Sequence, residues 1–174
     1  MILVIHAHPY PGRSRAGGAL LAAIRDIPGL EVRSIYNLYP DFDIDPAAEQ
    51  RALERADVVV LLHPLYWYTT PALLKHWFDV VLVKGWAHGV GGTALKGKEC
   101  LWVTTTGGGE DAFTAQGKHG HEFTAFAPVV EQTMRFCGMR WLEPFVVYAG
   151  HQISDDELRS EAQHLRKRLM EHAR

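Results

Sequence analysis

MILVIHAHPYPGRSRAGG, residues 1–18, is the stretch from which the architecture is read first. Ile2–Ile5 is an apolar run without polar alternation, as expected of a parallel strand covered on both faces. It gives way to a polar loop with His6, His8, Pro9 and Pro11, and Ser14 then stands where a helix opens. Ala16, Leu20, Ala23, Ile24 and Ile27 recur at helical spacing until Pro28-Gly29 ends the run. A buried strand feeding a helix N-terminus gathers free backbone N–H groups and partial positive charge at one point, which suits an anion such as phosphate.

The same alternation continues downstream. Glu31–Tyr36 alternates apolar and polar residues and is expected to be a strand near a sheet edge, followed by a loop over Asn37–Ile44. Asp45-Pro46 reads as a cap and first helical position for a helix to about Ala56. Val58–His63 (VVVLLH) has the character of a central strand. PLYWYTTP follows it, and a helix with a broad apolar stripe starts at Thr70-Pro71. Lys84–Lys98 is glycine-rich and irregular. Glu99–Thr104 reads as a fourth strand, Thr124–Phe136 as a helix ended by Gly138, and Trp141–Tyr148 as a fifth strand. The last helix opens on the capping box Ser154–Glu157.

Five strands alternating with helices imply right-handed crossovers and one α/β domain over 1–174: a flavodoxin-like, doubly wound, five-stranded parallel sheet in order 2-1-3-4-5, with helices on both faces. Ligands in such folds bind beyond the carboxyl ends of the strands. The unusual loops follow strands one, three and four, which are neighbours in that order, so all three should face one site.

Composition narrows the function. Of 174 residues, 47% are hydrophobic and 22% charged, as in an ordinary globular protein, and the net charge of −2 argues against a nucleic-acid footprint. No apolar run approaches the length of a membrane span, and Ile2–Ile5 is too short for a secretion signal, so a cytoplasmic setting is expected. The two cysteines, Cys100 and Cys137, have no metal-ligand or disulfide-framework spacing, and no metal site is expected.

Each odd loop has two readings. Ser14, Arg15, Ala16 and Gly17 would offer a hydroxyl and successive amides to a phosphate, with His8 in reach, but a serine there also serves as a plain helix cap. No dinucleotide or P-loop fingerprint is present. Leu65, Tyr66, Trp67 and Tyr68 crowd aromatics into a surface loop, which suits a flat ligand or a partner as well as core packing. Thr105, Thr106, Gly107 and Gly108 would let backbone approach a ligand closely. Together the three fit flavin mononucleotide (FMN), its phosphate on the first helix and its ring between the second and third loops.

At this point the chain resembles a known family. AHPYP with Ser14, HPLYWYTTPALLKHWFD, GWAHGVGGTALKGK, TTGGG and FCGMRWLEPF are similar to the flavodoxin-like NAD(P)H:quinone oxidoreductases along essentially the whole length. Within them, YPDFDID and GWAHGVGGTALKGK are especially similar to the ancillary oxidoreductase subunits of Kef-type, glutathione-gated potassium-efflux systems. The resemblance implies FMN rather than FAD, held by His8, Ser14–Gly17, Leu65–Tyr68 and Thr105–Gly108. It implies NAD(P)H as electron donor, ping-pong two-electron reduction of quinones or related electrophiles, a homodimer, and docking on the cytoplasmic face of an efflux protein. In longer relatives a Tyr and a His after the Thr-Gly segment assist proton relay. The matching positions here are Phe113 and His119, so His119 is the catalytic candidate and the tyrosine hydroxyl is missing. Two other readings stand beside the enzyme: a regulatory flavoprotein subunit with incidental redox activity, and an electron-carrier flavodoxin.

Overall fold

The computed structural model describes residues 1–172. Its centre is a parallel sheet in which β1 (Ile2–His6) lies between β2 (Leu30–Ser34) and β3 (Val58–Pro64), with β4 (Glu99–Thr105) beyond. Residues alternate between two faces, and each face has its own core. Ile2, Val4, Val60, Leu62, Leu101 and Val103 meet α1 (Arg15–Ile24) and the C-terminal helix α6 (Asp155–His172) through Leu20, Ile24, Leu165 and Leu169. Leu3, Ile5, Val59, Leu61 and Trp102 point the other way, onto α3 (Pro46–Arg55), α4 (Ala72–Val81) and α5 (Pro128–Phe136). The strand order β2-β1-β3-β4 continuing into the fifth strand is the expected flavodoxin-like one.

Three element boundaries differ from expectation. The second strand stops at Ser34, and Ile35–Leu38 turns into a one-turn helix, α2. Ile35 is fully buried there, and the Tyr36 hydroxyl accepts from the Leu73 amide at the start of α4, so tertiary anchoring overrides the alternating pattern. The fifth strand is two pieces, β5 (Arg140–Trp141) and β6 (Phe145–Val147), both paired with β4. Pro144 between them has no N–H to give the ladder. The helix expected from Thr124 begins as a 3₁₀ turn, Phe123–Phe126, and becomes α-helical only at Pro128.

The capping box of α6 is present: Ser154 Oγ accepts from the Glu157 amide (3.2 Å), and the Ser154 amide donates to Glu157 Oε2 (3.1 Å). Asp45 caps α3 by accepting from the Ala48 amide. All strands run the same way, so the loops after β1, β3, β4 and β6 leave from one edge of the sheet.

Candidate functional site

Two clefts open along that edge. The first, about 340 Å3, is lined by His8, Ser14, Arg15, Ala16 and Gly17 on one side and by Leu65, Tyr66, Thr105, Thr106 and Gly107 on the other. The second, about 350 Å3, is lined by Leu65, Trp67, Tyr68, Thr106, Gly107, Gly108, Phe113 and His119. Leu65, Thr106 and Gly107 line both, so the two clefts adjoin along the sheet edge. Every candidate residue from the three loops lines one or the other.

At the α1 end the sequence expectation needs one correction. Ser14 precedes the helix in extended conformation, yet its side chain makes no capping hydrogen bond. The first amides of α1, those of Arg15, Ala16 and Gly17, have no acceptor among the described residues. A Cβ on Gly17 would lie 2.6 Å from Ser14 Oγ, so only glycine leaves that hydroxyl its place. A hydroxyl and unpaired amides at a helix N-terminus form a cradle for an anion.

The aromatic loop is a tight hairpin. Tyr66 and Thr69 exchange both backbone hydrogen bonds (3.1 and 3.0 Å). Trp67 (φ 49°) and Tyr68 (φ 63°) occupy the two central positions in left-handed conformation. Such turns favour Asn-Gly, and bulky residues with positive φ cost of order 1–3 kcal/mol each. The hairpin leaves Trp67 91% exposed, its ring free to cover a ligand. In the Thr-Gly loop, the Thr106 hydroxyl donates to Gly108 O (2.7 Å), and the amides of Gly107 and Gly108 have no acceptor among the described residues.

His119 closes the far end. Its ring lies against Phe113 (centroids 4.3 Å apart), and a Cβ on Gly108 would stand 3.0 Å from its Nε2. The Tyr68 hydroxyl is 3.2 Å from His119 Nδ1. Phe113 is buried and packs on Phe123 and Tyr148 as part of the core wall. Tyr68 thus places a hydroxyl beside His119 from a different loop than Phe113.

Several lining residues escaped the sequence reading. Arg13, over the Tyr10 ring at 5.7 Å, sits in the quoted N-terminal loop and could have been taken from its charge alone. Gly150 and His151 line the phosphate end, and Lys118 the ring end. Gly150 and His151 follow β6 and carry no local motif. Only the rule that loops at the carboxyl edge converge would have found them.

Under the site lie two buried histidines. Trp102 Nε1–H donates to His63 Nε2 (2.7 Å), so His63 carries its proton on Nδ1, 2.9 Å from Pro64 O. His6 Nδ1 is 3.0 Å from Ser34 Oγ. Burial lowers both to about 4, with His8 lowering His6 further.

An anion cradle at one end and an aromatic, amide-lined slot at the other suit a flat heterocycle with a monophosphate tail. Comparisons with known proteins agree. The chain is 47% identical over 171 residues to the glutathione-regulated potassium-efflux system ancillary protein KefF of Enterobacter sp. (strain 638), covering 98% of this chain and 96% of that one. Among solved structures, general stress protein 14 of Treponema denticola in complex with FMN is 31% identical, with TM-score 0.92 and 97% of each chain covered. An NADPH-quinone reductase from P. pentosaceus is 28% identical, with TM-score 0.87, covering 97% of this chain and 96% of that one. A thermophilic tryptophan halogenase from Streptomycin violaceusniger also matches (36% identity, TM-score 0.93, 96% and 97% covered). Its different activity shows that likeness of fold does not carry an activity by itself. Residues 1–169 match the family model described as flavodoxin-like fold, and the chain belongs to that family.

Proposed function

We propose that the protein is an FMN-dependent NAD(P)H:quinone oxidoreductase that also serves as an ancillary subunit of a Kef-type potassium-efflux system. The observation that carries the enzyme reading is the pair of adjoining clefts that run from the unpaired α1 amides to the Tyr68–His119 pair. FMN bound there would supply the two-electron redox chemistry. The chain supplies the rest. Ser14 Oγ and the amides of Arg15–Gly17 hold the phosphate. The amides of Gly107 and Gly108 meet ring heteroatoms, and Leu65, Trp67 and Tyr68 cover the ring and exclude water. Tyr68 orients His119 through Nδ1, leaving Nε2 above Gly108 to hold or release a proton for an acceptor in the ring cleft. Donor and quinone use that cleft in turn, as ping-pong transfer requires.

The ancillary role rests on the near full-length similarity to KefF. No helix among the described residues is long and apolar enough to cross a membrane, so docking on an efflux protein would be peripheral. A homodimer is supported by the exposed apolar residues of α5, Val129 and Phe136, which line a groove of about 610 Å3 against α4.

The deciding experiment is flavin analysis of the purified protein with steady-state assay against NADH, NADPH and a quinone panel. A yellow protein releasing FMN and reducing quinones is expected. A colourless chain that cannot be reconstituted with FMN sinks the reading.

A further inference from the structure

The cleft at the phosphate end contains a histidine pair drawn from opposite ends of the chain. His8 follows β1 and His151 follows β6, and both line the cleft that holds Ser14–Gly17. The loop bearing His151 is tied to the other cofactor loops. The Ala149 amide donates to Gly108 O (2.8 Å), the Gly150 amide to Thr106 O (2.8 Å), and Gly150 O accepts from Arg15 Nη1 (3.3 Å). His151 is therefore held at the cleft by the same loops that shape it.

The two rings are not equivalent. His8 Nδ1 accepts from the Tyr10 amide (3.0 Å), so its proton sits on Nε2 and a second proton would break that bond. His8 thus works as a neutral donor. Burial lowers its pKa in the same sense, and the nearby His151 lowers it further. His151 is exposed and makes no hydrogen bond or ion pair with its ring among the described residues. Other groups near the pair are Tyr10, Arg13, Tyr66, the buried His6, and Arg15, whose charge is shared with Asp155 at 2.6 Å.

Beyond His8, which the family resemblance already places at the phosphate, we propose that His151 completes an asymmetric phosphate clamp, taking up a proton from solvent as the phosphate dianion of FMN binds while neutral His8 donates from Nε2. Above pH 7 the phosphate is already about nine-tenths dianion or more, its second pKa being about 6, and binding as the dianion could only release its remaining proton, so any uptake in that range belongs to the protein. The dianion favours imidazolium at His151, and FMN affinity then falls as pH rises above neutrality.

The clamp rests on the FMN reading, and one titration tests them separately. FMN and riboflavin are titrated calorimetrically into the flavin-stripped full chain at pH 7.5, in two buffers of different ionisation enthalpy. Wild type should take up as much as about one proton with FMN and none with riboflavin. His151→Gln should lose that uptake and bind FMN several-fold more weakly, with riboflavin binding unchanged. His151→Lys should restore FMN affinity without uptake, because its charge is permanent. Unchanged uptake and affinity in His151→Gln, or equal uptake with riboflavin, overturns the clamp. Failure of FMN to bind at all overturns the cofactor assignment, and the clamp with it.

Discussion

Ser14 and Tyr68 show how single side chains acquire roles that their sequence neighbours do not announce. A serine before a helix usually caps it, but here the hydroxyl makes no cap bond and is left to an anion. Ser14→Ala should weaken FMN by about 1.5–3 kcal/mol, the worth of a hydrogen bond to a charged group, or roughly ten- to a hundred-fold in Kd. Flavin fluorescence titration measures this, and unchanged affinity would reduce Ser14 to a spacer. The second case is proton handling. Phe113 removes the relay hydroxyl expected from longer relatives, and Tyr68 places one 3.2 Å from His119 Nδ1 instead. His119→Ala should lower kcat for quinone reduction by about a hundred-fold or more, the lower end of general acid–base assistance, with FMN still bound. Tyr68→Phe should lower it less and shift the pH–rate profile, since it removes only the orienting partner. Wild-type kcat in both variants would take the pair out of the mechanism.

At the scale of elements, β1 and β3 carry two buried histidines that should make the fold sensitive to acid. His6 and His63 are neutral in the fold, with pKa values lowered to about 4 from 6.5. Protonated His63 could no longer accept from Trp102, and burial disfavours charge on either ring. Above pH 6.5 neither state binds these protons and their effect vanishes. Between pH 6.5 and 4 the unfolded chain takes them up while the fold does not, so stability falls as pH falls, with a slope approaching about two protons, and levels off below 4. Denaturant unfolding at pH 7, 6 and 5 measures this. His6→Asn should roughly halve the slope, and an identical slope would show that His6 contributes nothing. Helix α3 shows what amphipathic patterning misses. Glu49 on its inner face is wholly buried and accepts from Arg33 (2.8 and 2.5 Å), Tyr39 (2.6 Å) and Trp77 (3.0 Å), a network that ties β2, α3 and α4 together. Nothing in the local sequence separates it from a solvated glutamate.

At the scale of the whole molecule, the apolar groove between α4 and α5 leaves Val129 and Phe136 uncovered, 63% and 65% exposed. Sedimentation should find a dimer at micromolar concentration, and Phe136→Glu should shift it to monomer while α5 keeps its fold; a monomeric wild type would refute the pairing. Much of this molecule was legible from the chain alone. Apolar runs at Ile2–Ile5 and Val58–His63, helical periodicity between them, and punctuation by Pro28-Gly29 and Asp45-Pro46 determined the alternating β/α order, because these are local preferences that act over a few residues. The same locality placed the three ligand loops at the strand ends. What the tertiary structure decided was long-range: the end of β2 at Ser34, set by burial of Ile35; the placing of His8 and His151 in one cleft; and the meeting of Tyr68 with His119. Those pairs are far apart in sequence, and the parallel sheet brings them together only because all its strands end at one edge.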